Sequence, residues 1–194
     1  MKGDTLNYKD LFRQIIAILS APGKAWDEIV GREKERNVVS SFVYPMIALC
    51  SLAKFIGVFI GRDIVSDVFQ MALTRCCAVA VALFGGFFLA VYLLDKMSQF
   101  WLKKKESITK IQVFVGYSMT VTFVLDVVSG LFSLEILHWI LQIYTIVIVF
   151  EGARRLMNIP ESRLTLYTLA VTIIILLCPA LIELIFNELS VILN

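Results

Sequence analysis

The sequence predicts an all-α polytopic membrane protein, a bundle of five transmembrane helices preceded by amphipathic cytoplasmic helices. Of its 194 residues, 59% are hydrophobic and only 18% are charged, well on the apolar side of an ordinary soluble domain. Several apolar runs also reach the roughly twenty residues that a helix needs to cross about 30 Å of hydrocarbon. We therefore expect one transmembrane domain, residues 38–194, behind an N-terminal segment, residues 1–37.

The N-terminal segment has the pattern of two short helices. Between residues 7 and 20, apolar side chains recur at helical spacing with polar ones opposite. The apolar set is Tyr8, Leu11, Phe12, Ile15, Ile16 and Leu19. A break at Pro22 precedes a second helix with Trp26 on its apolar edge. Two placements stay open: the helices lie on the membrane surface, or they pack against the cytoplasmic ends of the protein's own spans.

Five apolar segments follow as predicted spans. They cover about residues 38–60, 68–94, 111–132, 134–150 and 164–186. The first should stay in the mature protein as an anchor, because no cleavable signal peptide precedes it. Lysine and arginine are concentrated before the first span and after the second and fourth, whereas the opposite loops hold only Arg62. Since short loops rich in these residues stay in the cytoplasm, we predict a cytoplasmic N-terminus and an external C-terminus.

Four charged residues lie within these spans. Counted inward from the outer span ends at about 1.5 Å per residue, Lys54, Arg75 and Asp126 lie about 10 Å below the outer edge of the bilayer core. Glu183 lies at a similar or slightly shallower level, so the four charges share one layer. Facing lipid, they would together cost about 10 kcal/mol. We therefore predict that they form a buried charged cluster inside the bundle, with Asp126 as the first partner of Lys54 and Glu183 as the second.

Polar and small residues share the faces of these charges. Asp126 belongs to a polar stripe at helical spacing. Its other members are Ser118, Thr122 and Ser129. Gly57 and Gly61 lie on the face of Lys54 and suit close helix packing, either within the bundle or between two copies of the chain.

The charged cluster has two interpretations. It is a structural lock that decides which helices are neighbours, or it is a polar cavity that opens outward to an ion, a proton or a lipid headgroup. Candidate extensions of such a cavity are Glu135, His138 and Gln142.

The sequence carries no motif of nucleotide or metal chemistry. Ser118 and His138 differ by roughly 15 Å in predicted depth, too far for a nucleophile and its base. The cysteines lack metal-type spacing and are predicted to be packing residues. They are Cys50, Cys76, Cys77 and Cys178. We predict a non-enzymatic protein with no metal, no cofactor and no nucleic-acid partner.

Three stretches resemble the Yip (Ypt-interacting protein) membrane family in its bacterial form. They read AILSAPGKAWDEI, GYSMTVTFVLDVV and FEGARRLMNIPESRLTLYTL. The family often has a proline soon after Gly-Tyr-Ser, where this chain has Thr120 and Val121. The resemblance implies five spans with a cytoplasmic N-terminus, here in a bacterial cytoplasmic (inner) membrane. For eukaryotic members it implies binding to Rab-type GTPases, and for bacterial members it implies no settled activity.

The sequence thus favours an integral membrane scaffold of the Yip type. Its surroundings are the lipid bilayer, and it would bind a protein partner through the N-terminal segment and the basic loops. A homo-oligomer is a further option. The alternative is a small transporter, or an ion- or proton-handling protein, that uses the charged cluster in the outer leaflet.

Overall fold

The computed structural model describes residues 8–32, 37–60, 66–101, 106–132 and 141–192, and every regular element in these ranges is a helix. The all-α class is therefore confirmed. The N-terminal helices are α1, Tyr8–Ser20, and α2, Pro22–Arg32. A π-helical turn, Val39–Val43, runs into α3, Tyr44–Phe59. Then come α4, Ser66–Trp101; α5, Ile108–Ser118; α6, Thr120–Leu131; α7, Thr145–Arg155; and α8, Glu161–Ile192.

Four segments of the described chain are long and apolar enough to cross a membrane. They are Val39–Phe59, Asp67–Trp101, Ile108–Leu131 and Glu161–Leu189. These correspond to the first, second, third and fifth predicted spans. The fourth, residues 134–150, lies partly outside the described residues, so the count of five stays a prediction. At about 1.5 Å per residue, the 36 residues of α4 measure about 54 Å, well beyond the hydrocarbon thickness.

The two longest helices, α4 and α8, pack as an antiparallel pair. At one end, the guanidinium of Arg163 on α8 donates a hydrogen bond of 2.8 Å to the carbonyl of Trp101 on α4. Further along, Gly86 of α4 lies against Pro179 of α8, where an added Cβ would be 2.6 Å from the proline Cα. On its other side α4 packs against α3, which in turn packs against α6.

The third apolar segment is broken in two at Met119. This residue has φ −77° and ψ 0°, outside the helical region, and it separates α5 from α6. The hydroxyl of Thr120 donates a hydrogen bond of 2.6 Å to the carbonyl of Tyr117, one of the acceptors at this break. Helix α5 therefore contacts α4 and α7, while α6 packs on α3.

The N-terminal helices pack on the rest of the chain, α2 against α7 and α1 against α2 and α6. We call α1 and α2, together with the parts of α6 and α7 that they contact, the α1–α2 end. The buried face of α1 consists of Leu11, Ile15 and Ile18. Phe12 and Ile16, which belong to the same predicted apolar face, are exposed. Helical periodicity shows which side chains share a face, but it does not show which of two neighbouring apolar strips the fold covers.

Candidate functional site

Lys54 is bound to helix α6 through a serine. Its Nζ donates a hydrogen bond of 2.9 Å to Ser129 Oγ, and that hydroxyl donates a longer one, 3.4 Å, to the carbonyl of Asp126. The carboxylate of Asp126 is half-buried, with Lys54 as its attractive and Glu183 as its repulsive electrostatic neighbour. Among the described side chains, no direct ion pair joins Lys54 to either carboxylate.

Two glycines bring α3 and α6 into backbone contact beside Lys54. A Cβ on Gly57 would lie 1.6 Å from the carbonyl oxygen of Gly130. A Cβ on Gly130 would lie 3.0 Å from the backbone of Ala53 and Lys54. Gly57 thus packs within the chain, whereas Gly61 lies outside the described residues. One turn away, the buried thiol of Cys50 donates a hydrogen bond of 3.2 Å to the carbonyl of Phe123 on α6.

Arg75 and Glu183 are both exposed, which corrects the prediction of a buried four-charge layer. Measured from the contact of Gly86 with Pro179, Arg75 lies about 16 Å along α4 and Glu183 about 6 Å along α8 in the same direction. The two residues therefore differ by about 10 Å in depth. Counting from the ends of apolar runs missed this offset, because it ignores how far one helix slides along its neighbour.

Of the remaining predicted site residues, the structure describes Ser118, Thr122 and Gln142. Ser118 and Thr122 are buried, and their hydroxyls have no hydrogen-bond partner among the described residues. Gln142 is half-buried near the start of α7. Glu135 and His138 lie outside the described residues, so the cavity extension stays a prediction. No group of three metal-ligating side chains occurs in the part of the chain that the structure describes.

Neutralising Lys54 and Asp126 tests whether their charges are coupled. We expect Lys54→Met to lower the free energy of unfolding by about 1–2 kcal/mol, the upper range for polar contacts between membrane helices. Asp126→Asn should cost a similar amount, because it leaves the lysine charge uncompensated. The double variant should recover most of the loss in thermal unfolding of the detergent-solubilised protein. Arg75→Met, at an exposed cation, is the control. Strictly additive losses in the double variant would contradict coupling.

Trp26, which helical spacing assigned only to an apolar edge, anchors α2 in the fold. Its side chain is fully buried, and Nε1 donates a hydrogen bond of 3.0 Å to the carbonyl of Ile148 on α7. The indole packs against Phe114 and Tyr117 of α5, with ring centroids 5.8 and 6.1 Å away. Gly152 leaves room for it, since a Cβ there would be 2.6 Å from the indole.

Arg155 of α7 adds a charged contact to the same junction. Its Nε donates a hydrogen bond of 2.7 Å to Glu151, and its Nη1 pairs with the carboxylate of Asp27 on α2. The hydrogen bonds to Glu151 and then to Asp27 raise the pKa of Arg155. The contribution of Arg155 to stability is therefore present throughout the physiological range and is lost only as pH rises through that raised pKa.

The junction of α2 with α7 unites two stretches that are far apart in the sequence. Trp26 and Asp27 belong to AILSAPGKAWDEI, whereas Glu151, Gly152 and Arg155 belong to FEGARRLMNIPESRLTLYTL. Both stretches carry the family resemblance, which was the one available signal that they belong together. Periodicity alone could not find a contact between segments so distant in the chain.

A second polar cluster is buried where α4, α5 and α8 meet. Glu106, just before α5, is buried and pairs with Lys110 at 3.1 Å. The buried hydroxyls of Ser98 and Tyr167 lie near each other and near Glu106, although neither makes a hydrogen bond of good geometry among the described residues. This cluster was not predicted, because Glu106 directly follows a run of lysines in the sequence and resembles a loop residue.

Comparison with known proteins identifies one family. A family model described as the Yip1 domain matches residues 16–182, a range that contains the α2–α7 junction and the Lys54 contact. The searches of curated proteins and of solved structures give no match.

Proposed function

The chain belongs to the Yip1 family of membrane proteins, and from that premise we propose that it is a non-enzymatic scaffold that holds a partner protein at the cytoplasmic face of the membrane. The observation that carries this proposal is the docking of α2. One face of this helix is anchored in the bundle by Trp26 and Asp27. On the other face, Lys24 and Glu28 are exposed. A rigidly held helix with a free charged face is suited to protein recognition.

The proposed orientation puts the α1–α2 end in the cytoplasm. Fifteen of the basic residues before and between the spans lie on that side if the N-terminus is inside, against Arg62 on the other. With five spans, the C-terminus is then external. The membrane we propose is the bacterial cytoplasmic membrane, and a second copy of the chain is a further candidate partner.

An ion- or proton-handling role is the alternative function. Its support is the proximity of two carboxylates, Asp126 and Glu183, within an apolar part of the chain. Against it, Lys54 is hydrogen-bonded to Ser129 at the point where α3 and α6 touch, as expected of a lock between helices. A double variant Lys54→Met with Asp126→Asn that folds and leaves every phenotype normal would remove the support for transport.

Photo-crosslinking at Glu28 tests the partner-binding proposal. We expect the photoreactive amino acid p-benzoylphenylalanine in place of Glu28 to give one dominant protein adduct in native membranes. Because recognition is electrostatic, the added change Lys24→Glu should lower the adduct yield several-fold. Neither position contributes to the α2–α7 junction, so the fold should be retained. Deletion of the whole N-terminal segment is less informative, because it also removes Trp26.

The control for this experiment is the same photoreactive residue at Tyr92, whose side chain is exposed on α4. The adduct at Glu28 should be absent at Tyr92. Equal labelling at both positions, or a yield that Lys24→Glu leaves unchanged, would contradict a binding face on α2.

A further inference from the structure

We propose that the exposed face of α1 binds anionic lipid headgroups at the surface of the membrane that the chain spans. This face consists of Lys9, Phe12, Arg13 and Ile16, and we call it the α1 outer face. The four residues follow the spacing i, i+3, i+4 and i+7, so they share one side of the helix. The opposite side carries the buried residues Leu11, Ile15 and Ile18.

The exposure of two large apolar side chains is the first observation. Phe12 is 56% exposed and Ile16 is 63% exposed, although the same helix buries Leu11 almost completely. Lys9 and Arg13, also exposed, stand beside them. Apolar side chains flanked by cations are typical of helices that lie in a membrane interface, with the apolar groups among the upper acyl chains and the cations at the phosphates.

The position of α1 beside the spans is the second observation. The hydroxyl of Tyr117 donates a hydrogen bond of 3.2 Å to Gln14, and that of Tyr144 donates one of 2.9 Å to the carbonyl of Leu19. Helix α1 also packs on α6, part of the apolar segment Ile108–Leu131. These contacts hold α1 against a segment that is long and apolar enough to cross a membrane, so the bilayer is a surface within reach of the α1 outer face.

Helix α2 differs from α1 in the charges on its exposed face. The exposed face of α2 carries charges of both signs, Lys24 and Glu28, with Val30 as its exposed large apolar residue. Charges of opposite sign suit a protein surface, whereas the α1 outer face offers only cations. The lipid proposal is therefore separate from the partner-binding function proposed for α2.

Photo-crosslinking in nanodiscs of defined composition tests the proposal. The full chain, with p-benzoylphenylalanine in place of Ile16, is reconstituted in phosphatidylcholine mixed with phosphatidylglycerol. We expect lipid adducts on the peptide that contains position 16, enriched in phosphatidylglycerol over the bulk composition by about fivefold for each cation. The double change Lys9→Glu with Arg13→Glu should bring the enrichment down to the bulk ratio while the lipid adducts persist.

The control is the same photoreactive residue at Glu28, where no lipid adduct is expected. Absence of lipid adducts at position 16, or an enrichment that the double charge reversal leaves unchanged, would overturn the proposal. A protein adduct at position 16 in native membranes, in place of lipid, would also overturn it. Lipid adducts at position 16 without a protein adduct at position 28 would support lipid binding and count against the α2 partner site, so the two proposals can fail separately.

Discussion

Gly57→Ala is expected to separate α3 from α6 and to lower the free energy of unfolding by about 3 kcal/mol or more. The added methyl group would lie 1.6 Å from the carbonyl oxygen of Gly130, and that oxygen belongs to helix backbone that no side-chain rotation can move. One helix must therefore shift as a whole. The shift also moves Lys54 away from Ser129, so the hydrogen bond between them should be lost with the packing. Thermal unfolding of the detergent-solubilised protein measures the effect.

Gly85→Ala on α4 is the matched control. A Cβ at this position would meet the side chain of Ile182 at 3.4 Å, an ordinary van der Waals contact. Alanine also has the higher helix propensity, by about 1 kcal/mol, so this variant should be as stable as the parent or slightly more stable. If both variants unfold at the same temperature, the contact between Gly57 and Gly130 contributes nothing to stability, and other contacts must hold α3 against α6.

The helical elements followed from the sequence because hydropathy and length are local properties of a segment. Apolar runs predicted four of the spans within about three residues at each end, except that the second span continues to Trp101. Pro22 marked the junction between α1 and α2. The break at Met119 was not predicted, since no proline or glycine stands at that position. There, the backbone angles of Met119 and the hydroxyl of Thr120 end one helix and begin the next.

The contacts of the charged residues could not be predicted in full from the sequences of single helices. Lys54 and Asp126 were matched to the correct pair of helices, but the direct contact of Lys54 is Ser129, one turn along α6. The flexible side chain of Lys54 and the close approach of α3 and α6 at Gly57 and Gly130 determine this contact. Neither can be predicted from the sequence of one helix alone. For Arg75, both the predicted burial and the predicted depth were wrong. Its direction relative to neighbouring helices depends on how α4 rotates and slides against α8, which a single sequence does not encode locally.

Trp26→Ala is expected to release α2 from the bundle and to lower the free energy of unfolding by about 3–5 kcal/mol, the range for truncating a fully buried large aromatic residue. Trp26→Phe separates the two contributions of the indole. It keeps an aromatic ring between Phe114 and Gly152 but removes the hydrogen bond to Ile148. Loss of that bond should lower the free energy of unfolding by about 1 kcal/mol, and the smaller ring should lower it further through lost packing.

Hydrogen exchange locates the loss of stability caused by Trp26→Ala. Helix α2 is held mainly at its junction with α7, through Trp26 and Asp27, whereas α4 and α8 pack along much of their length. Amides of α2, and of α1 which packs on it, should therefore exchange faster, while those of α4 and α8 keep their protection. Equal loss of protection in all four helices would mean that the Trp26 junction is part of the central packing. Loss confined to α1 and α2 would mean that the family-specific stretches around Trp26 and Arg155 form a separable clamp, which holds the N-terminal helices on the rest of the bundle.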